Sequence, residues 1–425
     1  MTGYSPAPRL ALALLLPIGL YGQVRGVVLD PARKPIAGAS VVASGVHAKS
    51  AENGEFSLDL APGRYRIQVT APGFQAASVN AEAPLSAPLE FILRVADRHE
   101  TVNVVEPPSY AAVTTSSSTR TLTDLRDVPQ SVTVVQRELM ADQLMMSIGD
   151  VVRYVPGVTA IQGENNRDQV VIRGNSSSAD FYRDGVRDDV QYYRDLYNVD
   201  RVEALKGPNA MAFGRGGGGG AINRVSKEAG FTPLREVTLL GGSNRNRRIA
   251  GDWDQPLNSK VAFRLNSVYE NSGSFRDFVN LERYGVNPAM TIAAGPATRI
   301  TIGYEYFHDG RVADRGVPSF QGRPLKTSAS TYFGNPSDSH VFADVNVGTV
   351  AIEHQVGRLN IRNRTVEGDY DRGYQNFVPG AVTADRSQVA LSAYNNATHR
   401  RNLFNQTDLT YQRSTGALRH TLLAG

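Results

Sequence analysis

The chain has 425 residues, 41% of them hydrophobic, with 40 Gly, 22 Pro, 18 Tyr, 15 Phe and a single Trp. That length allows two or three ordered domains, and the Gly- and Tyr-rich mix favours strands and turns over helix bundles. A formal charge of +4 without a long block of like charge argues against a nucleic-acid partner, and the absence of cysteine excludes disulfides, zinc knuckles and thiol catalysis.

Arg9 precedes the apolar run "LALALLLPIGL", and "YGQ" follows it. The run is too short to span a bilayer as a helix and has the flanks of a signal-peptide core. Residues 1–22 are therefore expected to be a leader that exports the protein, the alternative being a buried first strand. No later stretch approaches ~18 consecutive apolar residues, so no membrane-spanning helix is expected.

From 23 to 96 the pattern is one of short strands and turns. "QVRGVVLD" and "ASVVAS" are β-branched runs, "ENGEFSLDL" carries an Asn53-Gly54 hairpin signal, and Tyr65, Ile67 and Val69 alternate between two Pro-Gly turns. A small β-sandwich is expected. Residues 97–119 combine a β-prone hexamer with a Pro-Pro and Ser/Thr-rich linker.

Residues 120–231 change to mixed α/β. "SVTVV" is a predicted strand, and Leu144, Ile148, Val151 and Val155 form one face of a predicted helix that Pro156-Gly157 ends. "QVVIRG" and "FYRDGV" suggest strand-then-turn pieces. "LYNVDRVEALKG" suggests a short amphipathic helix closed by Gly207.

After residue 232 long alternating strands take over. Val261, Phe263, Leu265 and Tyr269 share one face of a strand whose other face carries Arg264, Asn266 and Glu270; Ile300, Ile302, Tyr304 and Tyr306 oppose Arg299, Thr301 and Glu305. Such a period fits a transmembrane barrel or a sandwich with one wet face. Strand lengths near ten and the long polar loops Asp309–Asp344 and Gly373–His399 favour the barrel.

Sites of chemistry are few. Seven histidines are scattered without metal-ligand spacing, and "GNSSS" is not a nucleophile elbow. "RDGVRDD" lacks the oxygen spacing of a calcium loop and suggests a solvated charged turn. The run "GPNAMAFGRGGGGGAIN" satisfies a dinucleotide template only trivially, and no Gly-Lys-Ser/Thr follows. A flexible linker remains open. The third reading takes Gly214, Gly216, Gly217, Gly218, Gly219 and Gly220 as backbone approaching other backbone too closely for side chains.

Two resemblances rest on these residues. At "GVVLD", "PIAGASV", "NGEFSLDLAPGRYRIQV" and "APGF" the segment 23–96 resembles the carboxypeptidase regulatory-like domain, a transthyretin-like sandwich without chemistry of its own. "DVPQSVTVVQRELMADQLMMSIGDVVRYVPGVTA", "VVIRG", "FYRDGVRDD" and "VDRVEALKGPNAMAFGRGGGGGAINRVSK" together resemble the plug domain of TonB-dependent outer-membrane receptors, leaning toward the ferric-siderophore, catecholate-type branch. The implied fold is mainly β: sandwich, α/β plug (120–231) and transmembrane antiparallel β-barrel (232–425). About eight or nine strands are counted against the ~22 of a plugged transporter, so an incomplete barrel is expected.

The resemblance also implies roles. Glu100, Thr101, Val102, Asn103, Val104 and Val105 resemble the coupling box through which TonB, with ExbB and ExbD, acts from the periplasm; their other reading is a last strand of the sandwich. The glycine run belongs to the plug. The implied ligand is a ferric siderophore, the implied setting is outer-membrane lipid, and no catalytic residue, metal site or resident cofactor is expected. Arg167, Arg187, Tyr192, Tyr193 and Arg194 sit in plug loops where guanidinium and aromatic groups suit an anionic aromatic chelate, or pack against the lumen wall. A sandwich ahead of the box is more typical of receptors for oligosaccharides or peptides.

Overall fold

The computed structural model describes residues 22–425 except 31–32, 45, 72–73, 75–76, 85–86, 94–109, 209, 215–217 and 417. The leader core and the coupling segment Glu100–Val105 fall outside the described residues, as do Gly216 and Gly217. The chain divides into two units, 1–102 and 103–425.

The first unit is a sandwich. Gly22–Leu29 pairs antiparallel with Glu55–Leu60 and parallel with Leu89–Ile92, while Val46–Lys49, Ser40–Ala43, Gly63–Thr70 and Ala77–Ala83 make a four-stranded sheet. Alternation dictates the packing: Phe56, Leu58 and Leu60 turn inward to meet Val24, Val28, Ile67 and Val69. The Asn53-Gly54 turn does not close a hairpin. It passes the chain from Val46–Lys49 in one sheet to Glu55–Leu60 in the other, with Gly54 in the left-handed region at φ 78°.

The second unit holds an α/β domain and a nine-stranded antiparallel sheet. The domain's main sheet has the order Ser131–Gln136, Val199–Lys206, Gly220–Ser226, Phe181–Arg183, Val186–Arg187. The stretch expected to be a second helix is its second, interior strand. Val199–Lys206 is flanked by pairing partners and nearly every side chain is buried, so cross-strand hydrogen bonds and two-sided packing override a weak helical spacing. The first predicted helix is present but short, Ile148–Val152, started by a capping box between Ser147 and Asp150. Leu144 falls outside it, exposed and at φ 50°.

The sheet runs in sequence order from Leu234–Gly241 to Leu418–Ala424, and these two strands are its edges among the described residues. Its alternation is inverted relative to a soluble protein. Along Val261–Gly273, Arg264, Asn266 and Glu270 are buried while Phe263, Leu265 and Tyr269 lie on the opposite, more accessible face. Val237 and Leu239 are 70% and 75% exposed, and Trp253, Ile302, Val350 and Leu403 also point away from the interior. Apolar side chains outward and charges inward require lipid outside and a polar filling inside. The α/β domain is that filling.

The connections differ between the two rims. One rim has the short turns 257–260, 294–297 and 357–358, with Gly416 in another; the other rim has 242–246, 274–279, 312–339 and 383–388. Barrels place their longer loops on the outer side of the membrane, which orients the wall. The segment Gly373–His399, expected as a loop, is instead mostly paired. Strands Leu359–Val382 and Val389–Thr415, at 24 and 27 residues, extend far beyond the ~9–11 needed to cross the bilayer and form a tall hairpin on the outer side.

Candidate functional site

Charged residues between the plug and the wall form the first half of the site. Asp195 accepts two bonds from Arg248, at 2.7 and 2.8 Å, and one from Arg283 at 2.9 Å. Arg283 also faces Asp309 at 3.1 Å, and Arg248 reaches Glu270 at 2.9 Å. Glu305 of the wall accepts bonds from Arg183, from Asn198 at 2.7 Å and from the Tyr197 hydroxyl at 3.2 Å. Burial works to raise the Asp195 pKa, but the two arginines outweigh it and hold the carboxyl far below the usual range.

"RDGVRDD" is neither a calcium loop nor a solvated turn. Arg183 binds Glu305, Asp184 faces Arg364 at 3.2 Å, and Asp189 faces Arg400 at 2.8 Å, so three of its charges are gripped by the wall. Asp188 points into the plug, where one oxygen receives Tyr192, Arg194 and Arg224. Burial opposes ionisation there as well, and Arg194 and Arg224 prevail.

This geometry relocates two nominated ligand residues. Arg194 has 1% of its surface exposed. Its guanidinium lies 4.3 Å from the Phe181 ring centre and 4.5 Å from that of Tyr192. It donates to Asp188, to the Asp168 carboxylate and to three backbone carbonyls. Tyr192 is buried with it, its phenol pushed up to about 12 by burial and then by Asp188. Neither points outward; the alternative of packing inside the lumen holds for both. Arg187 is partly buried and donates to Asp189 at 3.0 Å and to Tyr182.

Arg167 and Tyr193 do stand at the outer end. Tyr193 donates to the Gln162 carbonyl at 3.0 Å, its ring lies under the Arg311 guanidinium at 4.0 Å, and Gln162 in turn reaches the Asp314 carbonyl of the long loop. Arg167 donates to Glu164 at 2.8 Å. Gly163, Glu164 and Asn165 are all left-handed, at φ 57°, 61° and 59°, a costly backbone for the latter two. Burial raises the Glu164 pKa, yet Arg167 outweighs it, aided by Tyr394 and Arg315, leaving the carboxyl below its ordinary value.

Around this apex the wall supplies residues that sequence spacing did not reveal. Arg315 donates to the Tyr394 hydroxyl at 2.7 Å, Tyr374 meets Tyr394 edge-on at 5.6 Å, and Arg372 lies 5.5 Å from the Tyr374 ring while donating to the Gln191 carbonyl at 2.5 Å. Deeper arginines such as Arg183, Arg194, Arg224, Arg248, Arg264 and Arg283 are each neutralised by carboxylates. Arg315 and Arg372 form no ion pair among the described residues. Two guanidiniums beside two tyrosines, with the Glu164 carboxylate near both, make the outer end of the plug the candidate binding site. The only advance signal was "DRGYQNF", unremarkable among many Arg-aromatic pairs.

The glycine run is resolved in part. A Cβ on Gly219 would lie 2.6 Å from the Ile172 carbonyl oxygen, and one on Gly220, at φ 149°, would lie 2.3 Å from that of Leu205. The close approach is real, but it is to neighbouring plug strands rather than to the wall. Gly218 is not part of it: its nearest neighbour would be an ordinary 3.8 Å away.

Residues 124–221 match the TonB-dependent Receptor Plug Domain family, and residues 23–94 match the carboxypeptidase regulatory-like domain. The chain thus carries the plug domain of TonB-dependent receptors. The Probable TonB-dependent siderophore receptor PiuA of Acinetobacter baumannii is 30% identical over 254 residues, 57% of this chain and 34% of that protein. The Catecholate siderophore receptor Fiu of Escherichia coli K12 is 29% identical over 351 residues, 75% of this chain and 46% of that one. The solved closed form of the ferric-catecholate import receptor Fiu from the same organism superposes with a TM-score of 0.68 at 26% identity, over 75% of this chain and 49% of that structure. The chain thus spans between about a third and a half of the length of these relatives.

Proposed function

We propose that the receptor takes up ferric siderophores of the catecholate class across the outer membrane, energised by TonB. The observation that carries this reading is the pair Arg315 and Arg372, without a salt bridge among the described residues, beside Tyr374 and Tyr394 at the outer end of the plug. A tris-catecholate iron complex is anionic and aromatic, and guanidinium groups meet both properties through charge-assisted hydrogen bonds and ring stacking. Arg167 and Tyr193 approach the same end from the plug. Ligand contact there bears on the Gly163–Asn165 turn, and through it on the plug.

On the periplasmic side, Glu100–Val105 would add as a strand to an edge of TonB, using main-chain hydrogen bonds, with ExbB and ExbD as its inner-membrane companions. Ion pairs such as Asp195 with Arg248 and Arg283 hold the plug until that pull arrives. The test is binding and uptake of a radiolabelled ferric catecholate by cells. Arg372→Ala is expected to weaken binding by about 10- to 100-fold, the range for a lost charge-assisted bond. Val102→Pro, which deletes a ladder donor, is expected to abolish uptake and leave binding intact. Unchanged binding in both Arg315→Ala and Arg372→Ala refutes the site, and iron-independent expression argues for another substrate.

A further inference from the structure

The residues that follow the coupling segment form a small closed element whose contacts point to a role in release. Thr114–Thr115 pairs with Thr123–Asp124, and the Thr119, Thr121 and Thr123 hydroxyls bond among themselves across the tip. Two grips hold this hairpin to the rest of the receptor.

The first grip lies near its start. Glu203, on the interior plug strand Val199–Lys206, is fully buried, and its carboxylate receives Arg201 at 3.0 Å, Asn223 at 3.2 Å and the Thr115 hydroxyl at 3.3 Å. Asn223 also donates to the Ser117 hydroxyl at 2.9 Å. Thr115 and Ser117 therefore close over a buried carboxylate and amide, polar groups that are costly to leave unmet.

The second grip lies at the tip. Arg120 has a left-handed backbone, φ 55°, a conformation that persists only where surrounding contacts impose it. Its Nε donates to the Ala212 carbonyl at 2.7 Å, Nη2 donates to the same oxygen, and Nη1 meets Asp408 of the wall at 3.1 Å. Ala212 belongs to the short helix Ala210–Phe213, directly before Gly214 and the glycine run. Phe213 from that helix packs on Tyr182 at 4.5 Å. One side chain thus joins three parts: the segment leading from the coupling box, the glycine loop and wall strand Val389–Thr415.

We propose that the hairpin 114–124 is the first part of the plug to leave under a pull, and that Arg120 is the positioning residue that passes its departure to the glycine loop and the wall. This rests on the transport reading above. A pull from upstream loads Thr115 and Ser117 before Arg120, so the bonds break one after another rather than together. Losing Arg120 then breaks its bonds to the Ala212 carbonyl and to Asp408 in the same event, loosening the glycine loop from the strand Val389–Thr415.

The native chain has no cysteine, and the buried Ser118 hydroxyl takes no part in either grip, so Ser118→Cys places a single reporter thiol under the hairpin. Its maleimide labelling is followed in the full chain in cells, loaded with ferric catecholate, with and without an uncoupler. Labelling is expected to rise at least tenfold on energisation in the otherwise native receptor. Adding Arg120→Gln, or Asp408→Asn from the wall side, is expected to raise labelling without energy by a similar factor and to collapse the energised-to-uncoupled ratio. Arg120→Lys, which keeps charge toward Asp408, should restore part of that ratio. Chelate binding should not change. Labelling that ignores energisation, or that ignores both substitutions, while uptake proceeds overturns the proposal alone. Absence of uptake in the unmodified receptor overturns the transport reading instead; labelling by the purified chain then still tests the grip, and equal rates with and without Arg120→Gln refute it.

Discussion

Strands Glu55–Leu60 of the sandwich and Val261–Gly273 of the wall have the same two-residue alternation and bury opposite halves of it. The sandwich hides Phe56, Leu58 and Leu60 and exposes Glu55, Ser57 and Asp59. The wall hides Arg264, Asn266 and Glu270 and turns Phe263 and Leu265 out. Pleat geometry separates two faces; it does not say which faces water. That is decided by what each face meets, an apolar partner sheet in one case and a charged plug inside lipid in the other. The stabilising chemistry differs accordingly, by area and packing in the sandwich and by compensated ion pairs in the lumen.

The contrast is broken most directly at Asp195. Asp195→Ala leaves Arg248 and Arg283 buried without it and is expected to cost about 3–5 kcal/mol in denaturant unfolding of the second unit in detergent. A loss below about 1 kcal/mol would show that the lumen is not held together by its charges. Because the folded pKa of Asp195 lies below the unfolded value near 4, its contribution is complete above that value and disappears as pH falls through the lower folded one. Asp195→Asn should flatten that acid-side dependence.

The sandwich answers with Leu58→Ala, expected to cost about 2–4 kcal/mol through lost burial and a residual cavity, against under about 0.5 kcal/mol for Leu239→Ala on the outward face of the wall. Equal costs for the two would undo the inside–outside assignment. A smaller effect sharpens the picture within the plug. Gly220→Ala sets a methyl against the Leu205 carbonyl and is expected to cost about 1–3 kcal/mol, while Gly218→Ala stays within about 0.5 kcal/mol, both read from thermal unfolding.

Much of the site was out of reach of pattern reading for a specific reason. Arg167 and Tyr193 could be nominated from sequence because they belong to compact plug loops. Arg315, Arg372, Tyr374 and Tyr394 were not, because a loop and two tall strands bring them together across as many as 79 positions of sequence. Arg194 looked like Arg167 in sequence; burial between Phe181 and Tyr192 makes it a structural residue.

Local chemistry was enough to specify the sandwich strands and the period of the wall, since each depends on neighbours a few residues away, whereas the crowding at Gly219 and Gly220 comes from the carbonyls of Ile172 and Leu205 on other strands. The interior strand Val199–Lys206, the tall hairpin through Gly373–His399 and the direction each face of the wall points were settled only by folding. Those features depend on hydrogen-bond partners and solvents that lie far away along the chain or outside it.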